Sequence, residues 1–174
     1  VFNYAVVVPA GSNVKLNTGQ RCKVNGTLTG EGTLTMYIPY VRTDLIGNWS
    51  SFNGVLNITT DSDGGQFRLC NSNGLVGTSV NLGDNVSMGH FVEGSGSALS
   101  GTSKIGSLSG NPSSSVYNGT YWVGYNNKDA TFNGVINAGV TVAKYGSGTW
   151  VLTNANLMGA DVNVFAGTLT VANT

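Results

Sequence analysis

A short strand pattern that keeps returning constrains this chain more than any other feature. Gly148-Thr-Trp150-Val-Leu152-Thr153 is echoed by Gly167-Thr-Leu169-Thr-Val171, by Gly32-Thr-Leu34-Thr-Met36 and by Gly26-Thr-Leu28-Thr29. Phe132-Asn-Gly134-Val-Ile136 returns as Phe52-Asn-Gly54-Val-Leu56. Within these units large apolar residues alternate with threonine or asparagine, the period-two signature of a strand with one buried face. Such strands are too short to bury that face alone, so the repetition requires stacked coils. The expectation is that Phe52, Leu56, Phe132, Ile136, Trp150, Leu152, Leu169 and Val171 point inward, and that Thr149, Thr153, Thr168 and Thr170 point out.

Glycine, asparagine, serine and threonine, the residues of turns and outward strand positions, make up 82 of 174 residues. Helix formers are scarce and unclustered, so almost no helix is expected. Further strands are read at residues 4–8, 14–16, 22–24, 27–29, 33–38, 52–60, 67–69, 75–82, 86–92, 104–108 and 121–125. Tyr40–Trp49 reads as an extended excursion that breaks the rhythm, and residues 109–116 read as a mobile loop. The sum is an all-β chain, 1–174 as a single β-solenoid module, with roughly seven to eight coils at about 20–25 residues each.

The block from Phe132 to Val171 resembles the autotransporter-associated β-strand repeat, found in bacterial passenger domains and in large secreted or surface proteins, some of them adhesin or pectate-lyase-like. The matching residues are Phe132, Gly134, Ile136, Lys144, Gly146, Gly148, Thr149, Trp150, Leu152, Thr153, Gly167, Thr168, Leu169 and Val171. The resemblance covers the last quarter of the chain well. Trp150 departs from it, because leucine is usual there. What the resemblance implies is a right-handed parallel β-helix, and no catalytic residue, since the repeat is a scaffold motif.

Charge excludes several functions. Eight basic and eight acidic residues leave a net charge of zero, too little for steering toward nucleic acid or acidic lipid. No apolar run approaches the roughly 18–20 residues that span a bilayer, so neither nucleic acid nor membrane insertion is expected. The chain starts at Val1 and Thr174 directly follows a strand pattern, so it is expected to be a piece of a longer secreted polypeptide. Cys22 shares a strand face with Val24 and Cys70 one with Arg68, which points to two independent thiols rather than a disulfide.

A lyase reading needs clustered carboxylates and a base. Asp61 and Asp63 with Arg68 nearby are the only close set, and Asp61-Ser-Asp63-Gly-Gly65 is also a good Asx turn, which is the preferred reading. His90 is the sole histidine, so no site with two imidazoles exists and it is read as an ordinary strand residue. The five Asn-x-Ser/Thr sequons (Asn25, Asn48, Asn57, Asn85, Asn118) follow from composition. No cofactor and no metal site is expected.

Aromatic residues carry the remaining signal. Rings stack on sugars while charged groups bond their hydroxyls, so Tyr40, Arg42, Asp44 and Trp49 form a candidate glycan-binding set. Tyr117, Tyr121, Trp122 and Tyr125 form a second group. Either group also suits packing against the solenoid body. Two functions follow: a non-catalytic structural or adhesive module of a large secreted or cell-surface bacterial protein, partnered by adjoining coils or domains, or a carbohydrate-binding or polysaccharide-lyase-associated module facing extracellular polysaccharide.

Overall fold

The computed structural model describes residues 1–154, 156 and 162–172. The fold is a parallel β-solenoid of about eight turns, with no helix among the described residues. One column of residues in register displays the stack: Leu16, Met36, Ile58, Leu82, Gly110, Phe132, Leu152 and Val171. Successive members lie 19 to 28 residues apart, so insertions enter the corners without disturbing the ladder.

The strands fall into three sets. The smallest pairs β1 (Val6–Val8) with β4 (Leu28–Gly30). A six-stranded sheet stacks β3 (Cys22–Val24), β6 (Val41–Leu45), β8 (Gly65–Leu69), β10 (Val86–His90), β12 (Ser115–Tyr117) and β15 (Val135–Ile136). The largest sheet begins with β2 (Asn13–Asn17), β5 (Thr33–Ile38), β7 (Val55–Thr60), β9 (Leu75–Leu82) and β11 (Thr102–Gly110). At β11 it forks. A register shift between Ile105 and Ser107 divides that strand. Its first half continues into β13 (Thr120–Val123), β16 (Thr141–Lys144) and β18 (Asn163–Val164), its second into β14 (Ala130–Phe132), β17 (Thr149–Leu152) and β19 (Thr168–Val171).

Alternation decides what enters the core. In β5 the burial pattern is strictly alternating, with Leu34, Met36 and Ile38 fully buried. Phe52, Leu56, Phe132, Ile136, Trp150 and Leu152 are buried as expected, while Thr149 and Thr153 are half-buried and Thr168 and Thr170 exposed. The top of the column differs. Leu169 is only partly buried against the core, and Val171 is 49% exposed. Both continue the inward register, but no described residue packs above them.

Three expectations from sequence are corrected. Tyr40–Trp49 is not an excursion. Its centre is β6, fully in register between β3 and β8, and Trp49 turns inward at the following corner. Residues 109–116 are not a loose loop but the end of β11, a tight turn and the start of β12. Ser114 closes that turn, donating its amide and its hydroxyl to the Asn111 carbonyl at 3.0 and 2.7 Å. Phe132–Ile136 is not one strand, because Asn133 and Gly134 form a corner between β14 and β15.

The two Phe-Asn-Gly-Val copies make the same corner at different vertices. Asn53 N–H donates to Gly30 O and Asn133 N–H to Gly110 O, both at 2.9 Å. A Cβ on Gly54 would lie 2.0 Å from Gly32 O of the preceding coil, and one on Gly134 2.4 and 2.5 Å from the Ser114 hydroxyl and carbonyl oxygens, with each unit's own phenylalanine ring next at 2.6 and 2.8 Å, so glycine is required by close approach. The first copy then enters the large sheet through Val55, and the second enters the six-stranded sheet through Val135. The motif is a corner piece, not a marker of coil phase.

Lys144, the lysine of the repeat-like block, has a local task. Its buried ammonium donates to Tyr145 O, to Gly146 O at 2.9 Å and to Ala166 O of the next coil at 3.4 Å. It thereby satisfies corner carbonyls that ladder bonding leaves open.

Candidate functional site

Several outward side chains bond one another from coil to coil. Asn81 donates to Asn57 Oδ1 at 2.8 Å, Thr153 to Asn133 Oδ1 at 2.7 Å, and Ser87 and Ser115 share a bond at 3.0 Å. The outer face of the six-stranded sheet is where charge collects. All three arginines of the chain, Arg21, Arg42 and Arg68, lie on or beside it.

Register aligns Lys23, Asp44, Arg68, Gly89 and Tyr117 in one outward column. Asp44 therefore sits between cations one coil above and one coil below, and Arg42 Nε lies 3.3 Å from its Oδ1. These residues should be wet, yet Asp44 and Arg68 are buried. The cover is a strap, residues 91–99, that folds back through an antiparallel bridge between Phe91 and Ala98. Arg68 Nη1 donates to Ser95 O at 2.8 Å and its guanidinium lies 4.1 Å from the Phe91 ring centroid. Lys23 pairs with Glu93 at the rim. Gly89 makes room, since a Cβ there would collide with the Phe91 ring. Burial pushes the nearby Cys70 thiol up to about 12, and raises the Tyr117 phenol as well. Cys22 and Cys70 are both free and half-buried.

Beside the strap, the corner leading into this sheet is concave. One residue at the entry to each of the first four strands, β3, β6, β8 and β10, adopts the left-handed region: Arg21 (φ 52°), Val41 (φ 74°), Gly64 (φ 82°) and Asn85 (φ 59°). Asparagine and glycine adopt it readily, while a β-branched valine does so only under strain. These residues line an open groove of about 540 Å³ together with Tyr40, Asp63, Gln66 and Ser87. The Asx turn expected at Asp61 forms one wall, with Asp63 N–H donating to Asp61 Oδ1 at 3.2 Å.

The four residues of the first aromatic set are thus separated. Tyr40 is 51% exposed in the groove, and Arg42 and Asp44 pair on the sheet. Trp49 is buried in the core, its Nε1 donating to Gly26 O at 3.0 Å, so its ring faces are closed to a ligand. In the second group Tyr121 is also core, its hydroxyl donating to Asn118 O at 2.7 Å. Trp122 and Tyr125 join Tyr145 and Phe165 in a ring stack with centroids 4.7 to 5.0 Å apart. That spacing is the coil repeat, and the rings cover one another's faces. His90 is fully buried, with Nε2 3.3 Å from Asn71 O, and burial lowers its pKa. The groove was missed in the sequence because its lining comes from separate coils. The one local signal was Tyr40, a large ring directly after Pro39 at a strand entry.

Among the described residues no cluster of histidine, cysteine and carboxylate side chains has metal-binding geometry. In comparison with known proteins, the chain matches no family model and no curated protein. The structure establishes the parallel β-solenoid.

Proposed function

We infer that the chain is a non-catalytic structural or adhesive β-solenoid module of a large secreted or cell-surface bacterial protein. The observation that carries this reading is how the side chains are spent. Apolar residues stack into a continuous core, while Asn57–Asn81, Asn133–Thr153 and Ser87–Ser115 tie the outer faces coil to coil. Rigid extension is what such a stack supplies. The bacterial, secreted setting rests on the resemblance of the Phe132–Val171 block to the autotransporter-associated repeat. Adjoining coils or domains of the same polypeptide are the proposed partners, supported by exposed Val164, Phe165 and Val171 on the last described coil. An in-frame deletion of this segment from its host protein tests the reading. The attached domains should stay folded and active but be displayed closer to the cell surface. Release of reducing ends or unsaturated products from pectin, xylan or glucan by the purified chain would overturn it.

A further inference from the structure

We propose that the groove at the left-handed corner of the six-stranded sheet is a binding site for an uncharged oligosaccharide lying along the solenoid axis. This goes beyond a spacer role and does not depend on it. The lining comes from successive coils, Arg21, Tyr40, Asp63, Gln66, Asn85 and Ser87, spaced at about 4.8 Å per coil. The concavity therefore accepts an extended ligand parallel to the stack, not a compact one.

The chemistry of the lining matches sugar hydroxyls, which both donate and accept. Arg21 and Asp63 bring one charge of each sign, and among the described residues neither side chain has a hydrogen-bond or ion-pair partner. Gln66 Oε1 accepts from Arg68 Nε at 3.0 Å, which fixes the amide and leaves its NH2 as a donor for the groove. Arg68 is itself clamped by Ser95 and Phe91 of the strap, so the strap positions Gln66. Tyr40 contributes the aromatic platform, with half its surface exposed and its backbone followed by the strained Val41. Strain of this kind persists where the surroundings over-determine a conformation, and it gathers at ligand sites. Asp63 disfavours an anionic ligand, and Arg21, the one guanidinium in the described lining, is too little for nucleic acid.

The test is a titration of the full chain with cellohexaose, xylohexaose, mannohexaose and hexagalacturonic acid, read by amide chemical shifts. At least one neutral hexasaccharide should give saturable shifts confined to the amides of residues 40–41, 62–66 and 85–87. Tyr40→Ala and Asp63→Ala should each weaken it at least tenfold with the melting midpoint unchanged, while Tyr40→Phe, which keeps the ring, retains most of the affinity. No saturable shift from any neutral probe at millimolar concentration would overturn the proposal. So would preference for hexagalacturonic acid, or binding insensitive to Tyr40→Ala.

Discussion

The indole N–H of Trp150 donates to the backbone carbonyl of Leu108 at 2.9 Å, although 42 residues separate them. Ala130 lies between the two in the column, in register with Trp150, and its small side chain lets the ring reach across. Trp49 makes the same bond to Gly26 O over a single coil, at 3.0 Å. Both rings fill the core and both satisfy a buried acceptor.

Trp150 can therefore be dissected. Trp150→Phe keeps a ring and orphans the Leu108 carbonyl, a cost of about 1–3 kcal/mol. Trp150→Ala adds a cavity, for a total of about 3–5 kcal/mol. Chemical denaturation of the two variants should rank them in that order, and equal midpoints for wild type and Trp150→Ala would refute the register.

The Phe-Asn-Gly-Val corners offer a paired test. Gly54→Ala and Gly134→Ala should both lower the melting midpoint, Gly54→Ala the more, because each Cβ meets a carbonyl oxygen of the preceding coil, Gly32 O at 2.0 Å and Ser114 O at 2.5 Å, as well as its own phenylalanine ring. Gly19→Ala, where nothing lies within 4 Å of the added Cβ, should leave stability unchanged or raise it by about 0.4–1 kcal/mol. If all three variants behave alike, close approach is not what demands glycine at these corners.

Val41 holds a φ of 74°. Asn85 occupies the same kind of corner at φ 59° without that penalty. Val41→Asn should stabilise the fold by about 1 kcal/mol, seen as a raised melting midpoint. A lowered midpoint would mean that valine packing outweighs the backbone strain.

His90 is buried and its pKa is lowered from 6.5 by desolvation. As pH falls below 6.5, the unfolded chain takes up a proton that the folded chain refuses. The unfolded state then binds more protons, so stability declines with falling pH until the folded-state pKa is passed, by at most about 1.4 kcal/mol per pH unit. His90→Gln should flatten the stability profile between pH 6.5 and the acid limb. An unchanged profile would assign the acid sensitivity to carboxylates.

The strap can be followed through Cys70, whose thiol is held at about 12 by burial. Arg68→Gln removes the bond to Ser95 O and the contact with Phe91. Maleimide labelling of Cys70 in a Cys22→Ser background should accelerate several-fold. No change in rate would show that the strap is held by its own hairpin bonds and not by Arg68.

Local alternation was enough to specify the solenoid. A residue's parity within a short strand decides whether it faces the core, and glycine or asparagine marks where the strand must turn, so β3, β5 and β9 were legible to the residue. The burial of Phe52, Phe132 and Trp150 followed from the same rule. Parity cannot say what covers an outward residue. Asp44 and Arg68 face out by register and are buried by a strap more than 20 residues further on. Trp49 looked like a surface ring because the corner that turns it inward depends on Gly26, a coil away. The groove exists only where left-handed corners from successive coils stack. Side-chain direction is set by neighbours in sequence; cover, strain and concavity are set by neighbours one coil away, and only the tertiary structure brings those together.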